Sequence, residues 1–194
     1  VSDPEDGAID CSRVEVTFVL AHDEHGHAED TVNGCSGVLS TIADDVSHGG
    51  NVWGVISASY TDLGGAGGVP ALTTVDQANV RQKRQEVEFA LEQSGTNVAT
   101  TNDPAGGGQH RGSLSNGDWI ALNGPFNLLN IDSLSFRVAS TSTQVAAGNP
   151  MAAVEVRLDA VDGPILTTAT LTSTGDTTTW QSQTVPVADP GGLH

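Results

Sequence analysis

Three groups of side chains in this chain have the types and spacing to do chemistry. The first is Glu86-Val87-Glu88-Phe89. Alternate residues of an extended strand share a face, so Glu86 and Glu88 would point the same way while Val87 and Phe89 enter a core. Calcium takes roughly six to eight hard oxygens, and two carboxylates with backbone carbonyls are a normal set for it. The competing reading is two solvated glutamates on an exposed strand face. The second group is His22-Asp23-Glu24-His25-Gly26-His27. The imidazoles of His22, His25 and His27 recur at i, i+3 and i+5 beside two carboxylates, a donor set that could hold zinc or copper. A polar hairpin loop containing His by composition alone is the alternative. The third group is Cys11 and Cys35, the only cysteines. They suit a disulfide that closes a loop of about 25 residues and stabilises by about 3 kcal/mol. Two buried free thiols are the rival, and the pair is too widely spaced for an ordinary structural zinc site.

The elements that must position these groups are strands and turns. Arg13 to Leu20 alternates with period two, as a half-buried strand should. A polar loop is expected from Ala21 to Ser36, a second strand from Asn51 to Tyr60, a glycine-rich turn over Gly64-Gly65-Ala66-Gly67-Gly68-Val69-Pro70 and a strand from Leu72 to Val80. Arg81 to Arg84 is the only dense positive patch and reads as a linker between two modules. Beyond it, strands are expected at 86–91, 119–122, 133–140, 153–160, 165–171 and 179–187. Trp119 and Trp180 fall inside these strands and are expected in the core. Helix signals are nearly absent, which points to antiparallel sandwiches.

Composition narrows the function classes. Asp and Glu number 24 against 7 Lys plus Arg, a formal charge of −17, and Lys83 is the sole lysine. Such a surface repels phosphate backbones and excludes nucleic acid as a partner; a neutral polysaccharide or glycan suits it better. No apolar run is long enough for a membrane span. No nucleophile elbow, phosphate loop or dinucleotide fingerprint occurs, and Gly106-Gly107-Gly108 lacks the flanking strand and helix that phosphate binding needs. The chain is therefore read as non-enzymatic.

The later part of the chain carries ordered motifs: Asn116-Gly117-Asp118-Trp119-Ile120, then Ile131-Asp132-Ser133-Leu134-Ser135-Phe136-Arg137-Val138-Ala139-Ser140, then Val154-Glu155-Val156-Arg157-Leu158-Asp159. They continue through Gly163-Pro164-Ile165-Leu166, the Ser173-Thr174-Gly175 turn, Trp180, and Asp189-Pro190-Gly191-Gly192-Leu193-His194. This region resembles the family 6 carbohydrate-binding modules. The resemblance implies a calcium-stabilised jelly-roll sandwich over 83–194 that holds sugar without breaking bonds. It assigns calcium to Glu86 and Glu88, which occupy the family's E-x-E. The family's usual sugar-stacking aromatics fall at Ser113 and Thr177, neither of which can stack on a ring, so any affinity is expected to be weak. Asn116 and Asp118 could bond sugar hydroxyls, although Asn-Gly is also what a tight turn wants.

The first part, 1–80, carries the Ser2-Asp3-Pro4-Glu5-Asp6-Gly7 turn and the order Tyr60-Thr61-Asp62, glycines, Leu72-Thr73. It resembles Ig-like or polycystic-kidney-disease-like spacer domains of secreted bacterial multidomain proteins. The expected fold class is thus all-β: two β-sandwich modules, an Ig-like domain followed by a jelly roll. The expected role is a calcium-stabilised, carbohydrate-binding ancillary region of a secreted, extracellular protein. A structural protein is the alternative, since the resemblance places the chain's ends after the spacer's first strand and before the module's last. Open sandwich edges would then be completed by another copy, giving a homo-oligomer or filament by strand addition.

Overall fold

A computed structural model describes residues 2–3, 6–22, 24–41, 51–140 and 144–194. The protein is all-β, and it divides into two compact units, Val1–Lys83 and Arg84–His194.

In the first unit β1 (Ser2–Asp3) pairs with β2 (Gly7–Ala8). A 3-10 turn at Cys11–Arg13 leads into β3 (Val14–His22), followed by β4 (His25–Asn33), β5 (Val52–Thr61) and β6 (Thr73–Val80). These four form one antiparallel sheet in the order β4-β3-β5-β6. The expected turn around residues 2–7 lies at β1 and β2, with Pro4 and Glu5 outside the described residues. Its Asp6 accepts from the Tyr60 hydroxyl at 2.8 Å and from the Leu63 amide at 3.1 Å, which ties the start of the chain to the end of β5. The expected Cys11–Cys35 disulfide is formed.

One face of the sheet supplies the core. Phe18, Leu20 and Val52 are buried together, with Leu39, Ile56 and Val80 packed against them. Gly54 lies among them for want of space: a Cβ there would come within 2.5 Å of the Phe18 ring and 2.6 Å of Val80. The glycine-rich segment after β5 is closed by the buried Asp62, whose carboxylate accepts from the Gly64 and Leu72 amides at 2.8 and 2.9 Å.

The expected polar loop at Ala21–Ser36 is largely β4. Its residues are mostly exposed and it pairs on one side only, so it carries no apolar alternation to betray it. Pairing runs Glu15 to Asn33 through Phe18 to Asp30, then resumes at Val19 to Ala28. Glu29 is left over as a bulge, and the strands continue to His22 opposite His25.

In the second unit the strands are β7 (Glu92–Ser94), β8 (Asn97–Thr100), β9 (Gln109–Gly112), β10 (Trp119–Ala121), β11 (Ser133–Val138), β12 (Pro150–Arg157), β13 (Ile165–Thr172) and β14 (Gln181–Pro186). They pair antiparallel as β7 with β10, β8 with β9, β11 with β14 and β12 with β13. The Gln183 side chain both donates to and accepts from the Thr172 backbone at 2.8 Å, joining β14 to β13 as a strand neighbour would. The Ser173-Thr174-Gly175 turn is structural: Ser173 and Thr174 are buried, and Ser140 bonds the Ser173 hydroxyl at 3.0 Å and the Thr174 hydroxyl at 2.9 Å. The final residues run beside 126–128, with His194 and Phe126 exchanging both backbone hydrogen bonds at 2.7 and 3.1 Å.

The expected strand at 86–91 is instead a 3-10 turn over Val87–Phe89. Trp119 and Trp180 are half-buried rather than core.

Candidate functional site

Glu86 precedes the 3-10 turn and Glu88 lies within it. The turn is held from outside by Arg111 of β9, whose guanidinium donates to the carbonyls of Glu88 at 2.9 Å and Ala90 at 3.2 Å. Asn123 adds a bond to the Phe89 carbonyl at 3.3 Å. These long-range donors occupy carbonyls that a strand partner would have taken, which is why an alternating E-V-E-F stretch does not extend.

The two glutamates differ. Glu86 pairs with Arg84 at 2.6 Å. Glu88 is 8% exposed and its Oε1 is buried without a hydrogen-bond partner among the described residues. Burial pushes the Glu88 carboxyl above the ordinary carboxylate range, and Glu86 adds to the rise, against its own backbone hydrogen bond, Arg111 and Arg84. A carboxylate oxygen out of water with nothing to accept from is costly. A hard cation removes that cost, so the donor chemistry at Glu86 and Glu88 fits calcium.

Asp103 shows the contrasting solution. It is buried, and Arg137 of β11 grips it through two bonds of 2.7 and 2.8 Å. This fork holds its carboxyl below the usual range.

The sugar-facing candidates are spread over loops. Ser113 is exposed with a φ of 57°, just after β9. Asn116 and Gly117 form a turn, Gly117 at φ 93°. Asp118 is engaged in that turn: its carboxylate accepts from the Ser115 amide at 2.6 Å. A Cβ on Gly95 would lie 1.7 Å from its Oδ1, so Asp118 fills the space that glycine leaves. Thr177 is exposed in a loop organised by Asp176, which accepts from the Thr178 and Thr179 amides at 2.7 and 2.6 Å. Those bonds hold the Asp176 carboxyl below the ordinary value.

Sequence reasoning missed a cluster beside Thr177. The Trp180 indole donates to Asn102 at 3.0 Å, and its ring meets that of His110 edge-on at 5.3 Å. Asn102 in turn reaches the Thr178 carbonyl at 3.4 Å. The signal was slight: Asn102 and His110 flank the Gly106-Gly107-Gly108 stretch, which carries no binding motif of its own.

His22, His25 and His27 are brought together at the tip of the β3–β4 hairpin, one nitrogen of each lying within 4.8 Å of the others. Asp23, between them in sequence, lies outside the described residues. Among the described residues no helix is long and apolar enough to cross a membrane.

Comparison with known proteins identifies the second unit. Residues 87–194 match the model of the carbohydrate binding module (family 6). A 102-residue stretch covering 50% of this chain is 36% identical to an arabinoxylan arabinofuranohydrolase of Bacillus subtilis (strain 168). The chain spans only 18% of that relative's length. No solved structure gives a significant match. With more than half its residues matched, this chain belongs to the family 6 carbohydrate-binding modules, a family that binds sugar rather than cleaving it.

Proposed function

We propose that the chain is the sugar-holding, non-catalytic region of a secreted protein, and that it binds a neutral polysaccharide. The observation that carries this reading is the family match over nearly all of the second unit. A net charge of −17 disfavours acidic polymers, and the similar stretch of an enzyme named for arabinoxylan makes that polymer the first to test. By analogy, the region keeps a catalytic domain near its substrate. Calcium at Glu86 and Glu88 steadies the module; the partnerless Glu88 oxygen supports it. The ion would supply positive charge to that carboxylate. The first unit serves as an Ig-like spacer.

Binding is weak, with a Kd on the order of 0.1 mM or higher, because Ser113 and Thr177 offer no ring to a sugar face. Affinity electrophoresis through arabinoxylan and other neutral polysaccharides, at fixed calcium, tests the proposal. Retardation by at least one neutral polymer is expected. Unretarded migration through all of them, with calcium present, overturns it.

A further inference from the structure

The cluster at the tip of the β3–β4 hairpin belongs to the first unit, outside the residues that match the sugar-binding family. His22 stands directly opposite His25, and Leu20 opposite His27. Residues opposite one another on antiparallel strands share a face, and diagonal neighbours on that face remain within reach of long side chains. All three imidazoles therefore project from one side of the hairpin, the side that carries Phe18 and Leu20 into the core. His22 ends that apolar row at 8% exposure, opposite Val52 on its other flank, while His25 and His27 face solvent.

The distances suit a small ion. Zinc binds imidazole nitrogen at about 2.0–2.1 Å, so two nitrogens on one tetrahedral ion sit about 3.4 Å apart. His22 Nε2 and His27 Nε2 lie 3.1 Å apart. The ring of His25 is 4.2 Å from that of His22 and 5.0 Å from that of His27. One nitrogen of each of the three rings lies within 4.8 Å of the others. On the opposite face of the ribbon a Cβ at residue 26 would come within 2.8 Å of the Val19 side chain, so glycine lets the two strands close together beside the cluster. The hairpin is also braced at its far end, where the Cys11–Cys35 disulfide flanks the start of β3 and the end of β4. A preformed set of three imidazoles on a braced hairpin loses little entropy on binding.

We propose that His22, His25 and His27 bind one transition-metal ion of the zinc class, three imidazoles filling one side of its coordination shell and a fourth position open to solvent. Neutral imidazole is a borderline-soft donor that suits Zn²⁺ and Cu²⁺ and does not suit Ca²⁺. The site is thus chemically distinct from the oxygen-only donors at Glu86 and Glu88.

The test uses the full chain, stripped with chelator and held in a calcium background. Zn²⁺ is titrated by calorimetry into the wild type and into His25→Ala/His27→Ala, whose altered side chains are exposed. Circular dichroism verifies that the variant is folded. The wild type is expected to take up one equivalent, and the variant to bind at least about 100-fold more weakly, beyond the loss typical of an outer-shell change. With Cu²⁺ as probe, electron paramagnetic resonance should display coupling to three nitrogens. Equal zinc affinity in the two proteins would place the ion on the acidic surface and overturn the proposal, as would a wild type that takes up no zinc. Neither outcome bears on polysaccharide retention, which belongs to the other unit.

Discussion

Asp103 and Glu88 are both buried carboxylates of the second unit, and the chain treats them oppositely. Asp103 receives a guanidinium from within the chain: Arg137 meets both its oxygens and lowers its pKa. Arg111, which reaches the Glu88 backbone, instead spends its donors on the carbonyls of the turn, and burial raises the Glu88 pKa. A structural ion pair is thus self-contained, whereas the buried Glu88 Oε1 has no hydrogen-bond partner among the described residues. The difference separates a carboxylate satisfied by the fold from the one that carries the proposed calcium site.

The strongest way to break this comparison is to supply or withhold calcium. At a hundredfold excess over Kd a bound ion stabilises the native state by about 2.7 kcal/mol, so calcium should raise the wild-type Tm and chelator should reverse it. Glu88→Gln should abolish the response, and without calcium the variant should be the more stable protein near neutral pH. Its folded pKa being raised, Glu88 penalises the calcium-free fold above that value, and the penalty disappears as pH falls below the unfolded value of about 4.3. Differential scanning fluorimetry across pH, with and without calcium, reads all three effects. A wild type indifferent to chelator would reduce Glu88 to an unpaired structural acid.

Arg137→Ala should lower the Tm by less, and with the opposite pH signature. The depressed Asp103 pKa gives stabilisation that is complete above the unfolded value of about 3.9 and is lost as pH falls through the folded one. The gap between wild type and variant should therefore close in acid. A gap that persists at pH 2 would mean that packing, not charge, is what Arg137 provides.

Ser113→Tyr combined with Thr177→Trp should raise polysaccharide affinity roughly tenfold, the equivalent of a stacking contact of about 1.4 kcal/mol. Titration calorimetry measures it; no gain would locate the sugar site away from these loops. The smallest effect is expected of Arg84→Ala, since its pair with Glu86 lies at the surface with Arg84 67% exposed. The calcium-free Tm should not move measurably, and a large drop would make Glu86 a second self-contained acid.

How much of this was legible beforehand followed how local the causes were. The strand Ser133–Val138 announces itself because it alternates polar with apolar residues and its burial alternates in step. β4 does not, because an edge strand of exposed residues has no reason to alternate. The Glu86–Phe89 stretch alternates as well as any strand, yet it curls because Arg111, more than twenty residues away, takes its carbonyls. Trp180 fits a core position in its own sequence window. Its indole is drawn to Asn102 across 78 positions, a partner that no local pattern reveals. The disulfide was readable because two cysteines allow a single pairing, with free thiols as the one rival.

The leftover Glu29 in β4 sets a parity for the whole hairpin. Up to Phe18 and Asp30 the paired residue numbers add to an even total; beyond Val19 and Ala28 the total is odd. An odd total allows His22 to meet His25. Were the even count carried through to the tip, His22 would meet Gly26, and His25 and His27 would turn to the opposite side of the ribbon. The single inserted residue acts as a one-bit switch between a ribbon that gathers its imidazoles and one that scatters them. Insertion or deletion in β4 could therefore create or erase the cluster with every histidine still in place.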